Sequence, residues 1–480
     1  MSEQVSIAVV GSGYVGLVAA ACFAEMGHRV ICVDNDEAKV RVLREGGVPI
    51  HEEYLPELLS RHRRNLVEFT TDLRSATQDA QAIFIAVGTP QSKTGSADLS
   101  YVDAVASEIA RSINSYKVIV EKSTVPVYTN EWIRRVIERN GVPRELFDVA
   151  SNPEFLREGT AVVDFLHADR IVIGAATERA AELLRRIYEP LTSGAYYRGQ
   201  SPVPGPRSEA DPPPILQTST KAAEIIKHAS NAFLATKISF INIVANICEA
   251  AGADVEEVAR GIGMDTRIGP KFLRAGIGYG GSCFPKDVAA FRHVAEQVGV
   301  DFGLLHEVER INEEQKVRFF QKVRSALWTF RGKKIGVLGL AFKGGTDDIR
   351  ESPALDIVKR LLHEGCIVRA FDPAAEQRSK EVIPESSQME YVQDPYTAAQ
   401  DADALLILND WKDFLEIDFK RLHHTLRYPI IIDGRNLLDP PTMAGMGFTY
   451  LSVGRANSVQ PLDTIPTYFL PRERENIKRS

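Results

Sequence analysis

The sequence predicts an α/β protein with two doubly wound parallel-sheet domains, joined by a long central helix and a small helical domain. Three observations predict it. Short β-branched runs alternate with helical stretches from the N-terminus, the same rhythm returns after Arg331, and one long helical pattern from about Lys221 to Ala251 lies between. Strand–helix alternation of this kind indicates a parallel sheet covered by helices. At 480 residues the chain is too long for a single core.

In order, the first segment reads as strands at "SIAVV", "RVICVD", "AIFIAVG", "KVIVEKS", "FDVASNPEF" and "RIVIG". A Pro/Gly/Ser-rich passage from Arg198 to Pro214 reads as an exposed loop. The central helix would span roughly 45 Å, a length suited to an interdomain spine or a dimer interface. Later, "KKIGVLGLAFK", "CIVRAFDP", "ADALLILND" and "PIIIDGRN" repeat the early plan as a diverged echo. The expected boundaries are 1–205 for the first sheet domain, 215–315 for the central helical domain and 325–465 for the second sheet domain. Residues 466–480, poor in apolar side chains, are expected to be disordered.

Composition narrows the class of function. The chain is 44% apolar and 25% charged, as in ordinary globular proteins. A net charge of −7 argues against nucleic acid or an anionic membrane as the main partner. Five scattered cysteines, with no CxxC pair or metal-ligand spacing, predict reduced thiols and a cytoplasmic location. The N-terminus has no basic leader, and no run approaches the roughly 20 apolar residues of a membrane span.

"VVGSGYVG" places Gly11, Gly13 and Gly16 in a GxGxxG that follows a strand and opens a helix, with Tyr14 and Val15 inside it. Such glycines permit a tight turn, close approach of a pyrophosphate and close helix–strand packing. Alone the motif is weak. Asp34, at the end of the next strand, strengthens it, because a carboxylate there bonds ribose hydroxyls and repels a 2′-phosphate. The Rossmann-like first domain is therefore expected to bind NAD rather than NADP. Gly88-Thr89-Pro90 and Ser123-Thr124-Val125-Pro126 also fall at the carboxyl edge of the sheet, where ligands bind.

"GIGYGGSCFPKD" crowds Gly276, Gly278, Gly280 and Gly281 against Cys283, ahead of a helix whose first turn holds Pro285. A thiol ahead of a helix N-terminus is expected to have a lowered pKa and to be reactive. The bland alternative is a buried cysteine in a turn. A thiol beside a hydride acceptor points to aldehyde chemistry, through a thiohemiacetal and a thioester that water releases as an acid. On the long helix Lys227 and Asn231 share one face, an ammonium and an amide suited to a developing alkoxide. A solvent-facing polar stripe is their bland reading. Glu154 and Glu158 in "SNPEFLREG" stand near each other beside a strand end.

These stretches, with "KSTVPV", "IKHASNAFLATKISFIN", "TDDIRESPA" and "IIDGRN", resemble the UDP-glucose/GDP-mannose dehydrogenase family over nearly the whole chain. The resemblance implies two successive NAD-dependent oxidations of a sugar-nucleotide primary alcohol to a carboxylate, with UDP-glucose as substrate. GDP-mannose or a UDP-N-acetylhexosamine is the alternative. Carried over, Cys283 is the nucleophile and Lys227 and Asn231 stabilise oxyanions. Thr124 and Asp287 position or deprotonate water, and Glu158 assists proton transfer. The cofactor set gains Lys39, Thr89, Lys286 and Arg350, with Thr124 and Glu158 beside it.

For the substrate, the resemblance implies Glu154, Phe155, Leu156 and Arg157, then Phe272, Leu273, Arg274 and Gly280. Lys343 and Arg435 would reach it from the C-terminal domain, and Arg267 would reach the site of a neighbouring subunit in a homodimer or larger homo-oligomer. Tyr128 stands where the family usually has glycine, and Ile243 where an acidic residue is common. A one-step β-hydroxyacid dehydrogenase would need neither Cys283 nor a second α/β domain. A non-enzymatic relative would tolerate the loss of Cys283, Lys227 and Asp287, all of which are present.

Overall fold

Two sheets with the same strand plan organise the chain. The computed structural model describes residues 3–90, 97–198 and 201–455, so the expected disordered tail at 466–480 lies outside the described residues. The first sheet contains β1 (Ser6–Val10), β2 (Arg29–Val33), β3 (Val67–Thr70), β4 (Ala82–Ile85), β5 (Lys117–Glu121), β6 (Phe147–Ser151), β7 (Ile171–Ala175) and β8 (Ile215–Thr218). Their spatial order is β3-β2-β1-β4-β5-β6-β7-β8, with the chain reversing direction at β1/β4. Ligands bind at such a switch point, outside the carboxyl ends of the strands.

Two details correct the sequence reading. β6 and β7 pair antiparallel, so the sheet is mixed rather than wholly parallel. Ile215–Thr218, assigned to the start of the helical domain, is instead a strand pairing with β7. Its four residues are only partly buried or exposed, and short edge strands carry little of the apolar pattern that marks a buried one. The proline-rich passage is not simply an exposed excursion either. Val203 is buried and its carbonyl accepts from His167 Nε2 at 3.1 Å, while Arg207 donates to the carbonyls of Ala168 and Asp169.

The second sheet contains β9 (Lys334–Leu338), β10 (Ile367–Phe371), β11 (Met389–Tyr391), β12 (Ala404–Ile407), β13 (Ile430–Asp433) and β14 (Thr449–Ser452), in the order β11-β10-β9-β12-β13-β14. The echo extends to single atoms. In the first sheet, Gly11 N–H donates to Val33 O and Ser12 N–H to the Asp34 carboxylate, at 2.7 and 2.8 Å. In the second, Gly339 N–H donates to Phe371 O and Leu340 N–H to the Asp372 carboxylate, at 2.8 and 2.7 Å. Asp372, however, also accepts from Ala341 N–H, Asn409 Nδ2 and Trp411 Nε1, and is buried.

Between the sheets runs the spine helix Thr220–Ala251, capped by Ser219 and ended by Gly252 in the left-handed conformation. By length and composition it could cross a membrane. Here it buries Glu224, Lys227, His228, Asn231 and Asn242 against other elements of the chain. Helices Phe284–Gln297 and Gly303–Leu327 pack on it, and its Lys227 and Asn231 face a cavity.

Candidate active site

A cavity of about 710 Å³ lies where the carboxyl edge of the first sheet, the spine helix and the second sheet domain meet. Glu154, Phe155, Leu156, Arg157 and Glu158 enter from the loop after β6, and Lys227 and Asn231 from the spine. Phe272, Arg274, Gly280 and Cys283 come from the segment ahead of helix Phe284–Gln297, and Lys343 and Arg435 from the second sheet domain. Residues expected separately as substrate-facing and catalytic therefore line one cavity.

Cys283 caps the helix Phe284–Gln297, with Pro285 in the first turn. The expected lowering of its pKa is overturned. Burial pushes the thiol up to about 11; Glu154, Asp287 and Glu158 push the same way, and the Lys227 ammonium opposes them. A helix N-terminus contributes only about half an elementary charge, too little against desolvation and three carboxylates. The resting residue is a thiol.

The spine side chains are paired rather than solvated. Lys227 Nζ lies 2.7 Å from Glu154 Oε1, with both side chains only 4% exposed. Burial alone would raise the Glu154 carboxyl, but Lys227 and the Leu156 N–H hold it below the ordinary range. For Lys227 the charges of Glu154 and Asp287 and the hydrogen bond to Glu154 oppose desolvation, so it stays an ammonium. Asn231 Nδ2 donates to Asp287 Oδ2 at 2.6 Å, and Asp287 Oδ1 has no hydrogen-bond partner. His228 donates to the Val125 carbonyl at 2.6 Å, tying the spine to the loop that carries Thr124.

Glu158 sits at the junction of the domains. Its Oε1 accepts from Ser282 Oγ at 2.7 Å and lies 3.3 Å from Arg350 Nη2. Burial and the Asp348 carboxylate push its carboxyl well above the usual range. Glu52 holds the same loop from below, accepting from Gly159 and Ala161 N–H at 2.7 and 2.6 Å. The glycine-rich turn packs on the second domain: a Cβ on Gly280 would lie 2.1 Å from Glu351 O, and Gly281 N–H donates to Arg350 O.

The adjacent cleft fits a dinucleotide. A Cβ on Gly16 would lie 1.8 Å from Gly11 O, so the helix Tyr14–Glu25 can approach the strand only without one. At Gly13 the same position opens onto free space, and no side chain caps that helix N-terminus. Asp34 accepts from Ser12 N–H and Oγ and lies 3.2 Å from Lys39. These bonds outweigh burial and lower its pKa, keeping a carboxylate for ribose hydroxyls. Lys286 donates to Thr89 Oγ1, which donates to Thr124 O. The Tyr14 hydroxyl bonds Asp347 across the domain junction, and Val15 packs on the first core.

Other expected residues fall elsewhere. Leu273 is buried in the core of the second domain and does not line the cavity, because the backbone turn at Phe272, φ +65°, sends the two side chains to different surroundings. Arg267 is 87% exposed and paired with Asp265, away from this chain's cavity. Thr124 and Asp287 do not line the cavity itself; Asp287 reaches it through Asn231. Sequence reasoning missed Ser282, Lys122, Asp410 and Arg170. Ser282 was beside the cysteine in the quoted motif, and Asp410 ends the run "LILND". The Arg170 guanidinium sits 3.7 Å from the centre of the Phe155 ring, a contact no local pattern announces.

Residues 5–192, 221–314 and 336–440 match, in turn, the NAD binding, central and UDP binding domains of the UDP-glucose/GDP-mannose dehydrogenase family. The chain is 45% identical over 470 residues to UDP-glucose 6-dehydrogenase TuaD of Bacillus subtilis (strain 168), covering 97% of each. It is 44% identical to UDP-glucose 6-dehydrogenase of Rhizobium meliloti (strain 1021), covering 94% of this chain and 99% of that one. Among solved structures, a UDP-glucose dehydrogenase from Pyrobaculum islandicum superposes with a TM-score of 0.84 at 37% identity, covering 95% of this chain and 99% of that one.

Proposed function

The chain belongs to the UDP-glucose/GDP-mannose dehydrogenase family, and from that premise we propose that it oxidises UDP-glucose to UDP-glucuronate with NAD, through a covalent intermediate on Cys283. The observation that carries the mechanism is one cavity lined by Cys283, the Lys227–Glu154 pair and Asn231, with Asp287 bonded behind Asn231 and a dinucleotide cleft beside it.

The Gly11–Gly16 turn and Asp34 would hold NAD, which would supply the hydride acceptor. The chain's own groups do the rest. Lys227 remains charged and Asn231 offers an amide donor, so both stabilise negative charge on the substrate oxygen, first as alkoxide and then in the thiohemiacetal. Glu154 keeps Lys227 protonated and aimed. Asp287, one oxygen bonded to Asn231 and the other without a hydrogen-bond partner, accepts a proton from the water that hydrolyses the thioester. Arg274, Lys343 and Arg435 give the cavity a cationic wall suited to a diphosphate. The five cysteines are free thiols, as suits a cytoplasmic enzyme.

The reading extends to a homodimer across the spine. Phe233, Phe240 and Ile247 recur every seven residues along that helix and are 66%, 55% and 60% exposed. Light scattering should give at least twice the chain mass; a fully active monomer would refute the dimer. The test of function is stoichiometric. Wild-type protein should release two NADH per UDP-glucose, far faster than from GDP-mannose or UDP-N-acetylglucosamine, and Cys283→Ala should form no uronate. One NADH per product, or acid formation by the alanine variant, would sink the mechanism.

A further inference from the structure

The thiohemiacetal mechanism leaves a proton unassigned. Cys283 rests as a thiol, and it must lose its proton as sulfur bonds to the aldehyde carbon. Three carboxylates and two cations face it: Glu154, Asp287, Glu158, Lys227 and Arg350. Glu154 is paired with Lys227 at 2.7 Å, and Asp287, bonded to Asn231, serves the water of the hydrolysis step. Lys227 is already protonated, and Arg350 has no basic lone pair to offer.

Ser282 fills the gap. Its Oγ lies 3.5 Å from Cys283 Sγ and 2.7 Å from Glu158 Oε1, so one hydroxyl touches both the reacting thiol and a carboxylate. A hydroxyl donates one hydrogen and accepts through its lone pairs, so it can take a proton on one side while giving one on the other. Burial and the neighbouring Asp348 carboxylate push the Glu158 carboxyl up to about 8, so at pH 8 a share of it is ionised and can take up a proton.

We propose that Ser282 is a catalytic residue that relays the Cys283 thiol proton to Glu158 in the second oxidation. This inference rests on the functional reading above. As sulfur bonds to the aldehyde carbon, the thiol hydrogen passes to Ser282 Oγ and the serine hydrogen to Glu158, giving a neutral carboxyl. The carbonyl π electrons move to the substrate oxygen, whose negative charge is held by Lys227 and Asn231. That oxyanion then re-forms its carbonyl as hydride leaves carbon for the NAD the established reaction consumes, giving the thioester. When water cleaves the thioester, Glu158 returns its proton along the same path to the departing thiolate.

Glu158→Gln removes the proton acceptor and should slow oxidation of the aldehyde-level substrate about 10–100-fold, the usual scale of proton-transfer catalysis. Ser282→Ala should slow the aldehyde oxidation by a similar factor and release aldehyde after one NADH, with Ser282→Thr restoring part of the rate. Members of a relay act as a unit, so the double variant should be no slower than the slower single one.

Stopped-flow NADH formation from UDP-glucose and from its 6-aldehyde would measure both steps, with Tm recorded for each variant. An aldehyde step within twofold of wild type in Ser282→Ala would overturn the relay, as would losses that multiply in the double variant. Failure of the functional reading looks different: wild-type protein would then yield no NADH from UDP-glucose at all.

Discussion

Glu154→Gln removes one charge and almost no volume, and the structure sets the size of its effect. At 2.7 Å and an effective dielectric of about 20, the lost attraction to Lys227 is about 6 kcal/mol. Desolvation of two charges has already consumed part of that. Breaking a buried pair by removing one partner costs about 3–5 kcal/mol, because the remaining charge stays buried. For a domain the size of the first one, that is a fall in Tm of about 6–20 °C. The kinetic effect should be larger in kind. Glu154 is the strongest charge holding Lys227 protonated, while burial pulls the other way. In the variant, Lys227 should lose its proton at a lower pH, so kcat should fall as pH rises through the neutral and mildly alkaline range. Where the ammonium is gone, loss of an oxyanion donor predicts about a 10²–10³-fold fall in kcat. The assay is kcat against pH for wild type and variant, alongside thermal melts. The signs in the wild type follow from the same pair. The lowered Glu154 pKa contributes stability that is present above about pH 4.3 and lost as pH falls through the folded value. The raised Lys227 pKa contributes stability that is complete below about pH 10.4 and lost only above it. A variant with a wild-type pH profile and an unchanged Tm would refute the reasoning.

Asp34→Ala should raise KM for NAD about 10–100-fold, through loss of hydrogen bonds to a charged acceptor worth about 1.5–3 kcal/mol, and should narrow the preference over NADP; an unchanged KM would sink the assignment. Tyr128 occupies the left-handed region at φ +79°, where a bulky residue is strained by about 1–2 kcal/mol. Tyr128→Gly relieves that strain but loses about 0.5–1 kcal/mol to chain entropy and gives up the Lys221 contact over the ring. A net Tm rise of about 1–4 °C is expected, and a fall would show that the ring contributes more than the strain costs.

Much of the site was legible because its local grammar is strict. Gly11, Gly13, Gly16 and Asp34 are fixed by one turn and one neighbouring strand, and Lys227 and Asn231 by helical spacing. Tyr128 in a glycine position was legible as a departure, and the backbone there kept the conformation a glycine would take. What the sequence hid depends on contacts distant along the chain. The Cys283 pKa is decided by desolvation and by Glu154 and Glu158, which arrive together on one distant loop, besides Asp287 in its own helix, so the helix terminus alone gave the wrong sign. Arg170 over Phe155, Glu52 beneath Gly159 and the edge strand Ile215–Thr218 likewise have partners that no window of sequence contains. Leu273 and Phe272, adjacent in one motif, part company at a single positive φ.

The inward turn of Asp372 bears on how the chain meets its cofactor over time. In the second sheet the carboxylate that matches Asp34 is already satisfied by Ala341, Asn409 and Trp411 as well as Leu340, and has no exposed face to offer a ribose. The chain thus offers one such carboxylate to a ribose, Asp34 on the first sheet, although the proposed reaction consumes two dinucleotides. The first NADH must depart and fresh NAD enter through the same doorway while the half-oxidised sugar waits. In the proposed mechanism Cys283 is then a tether as much as a nucleophile: a sugar bonded to sulfur cannot leave with the traffic.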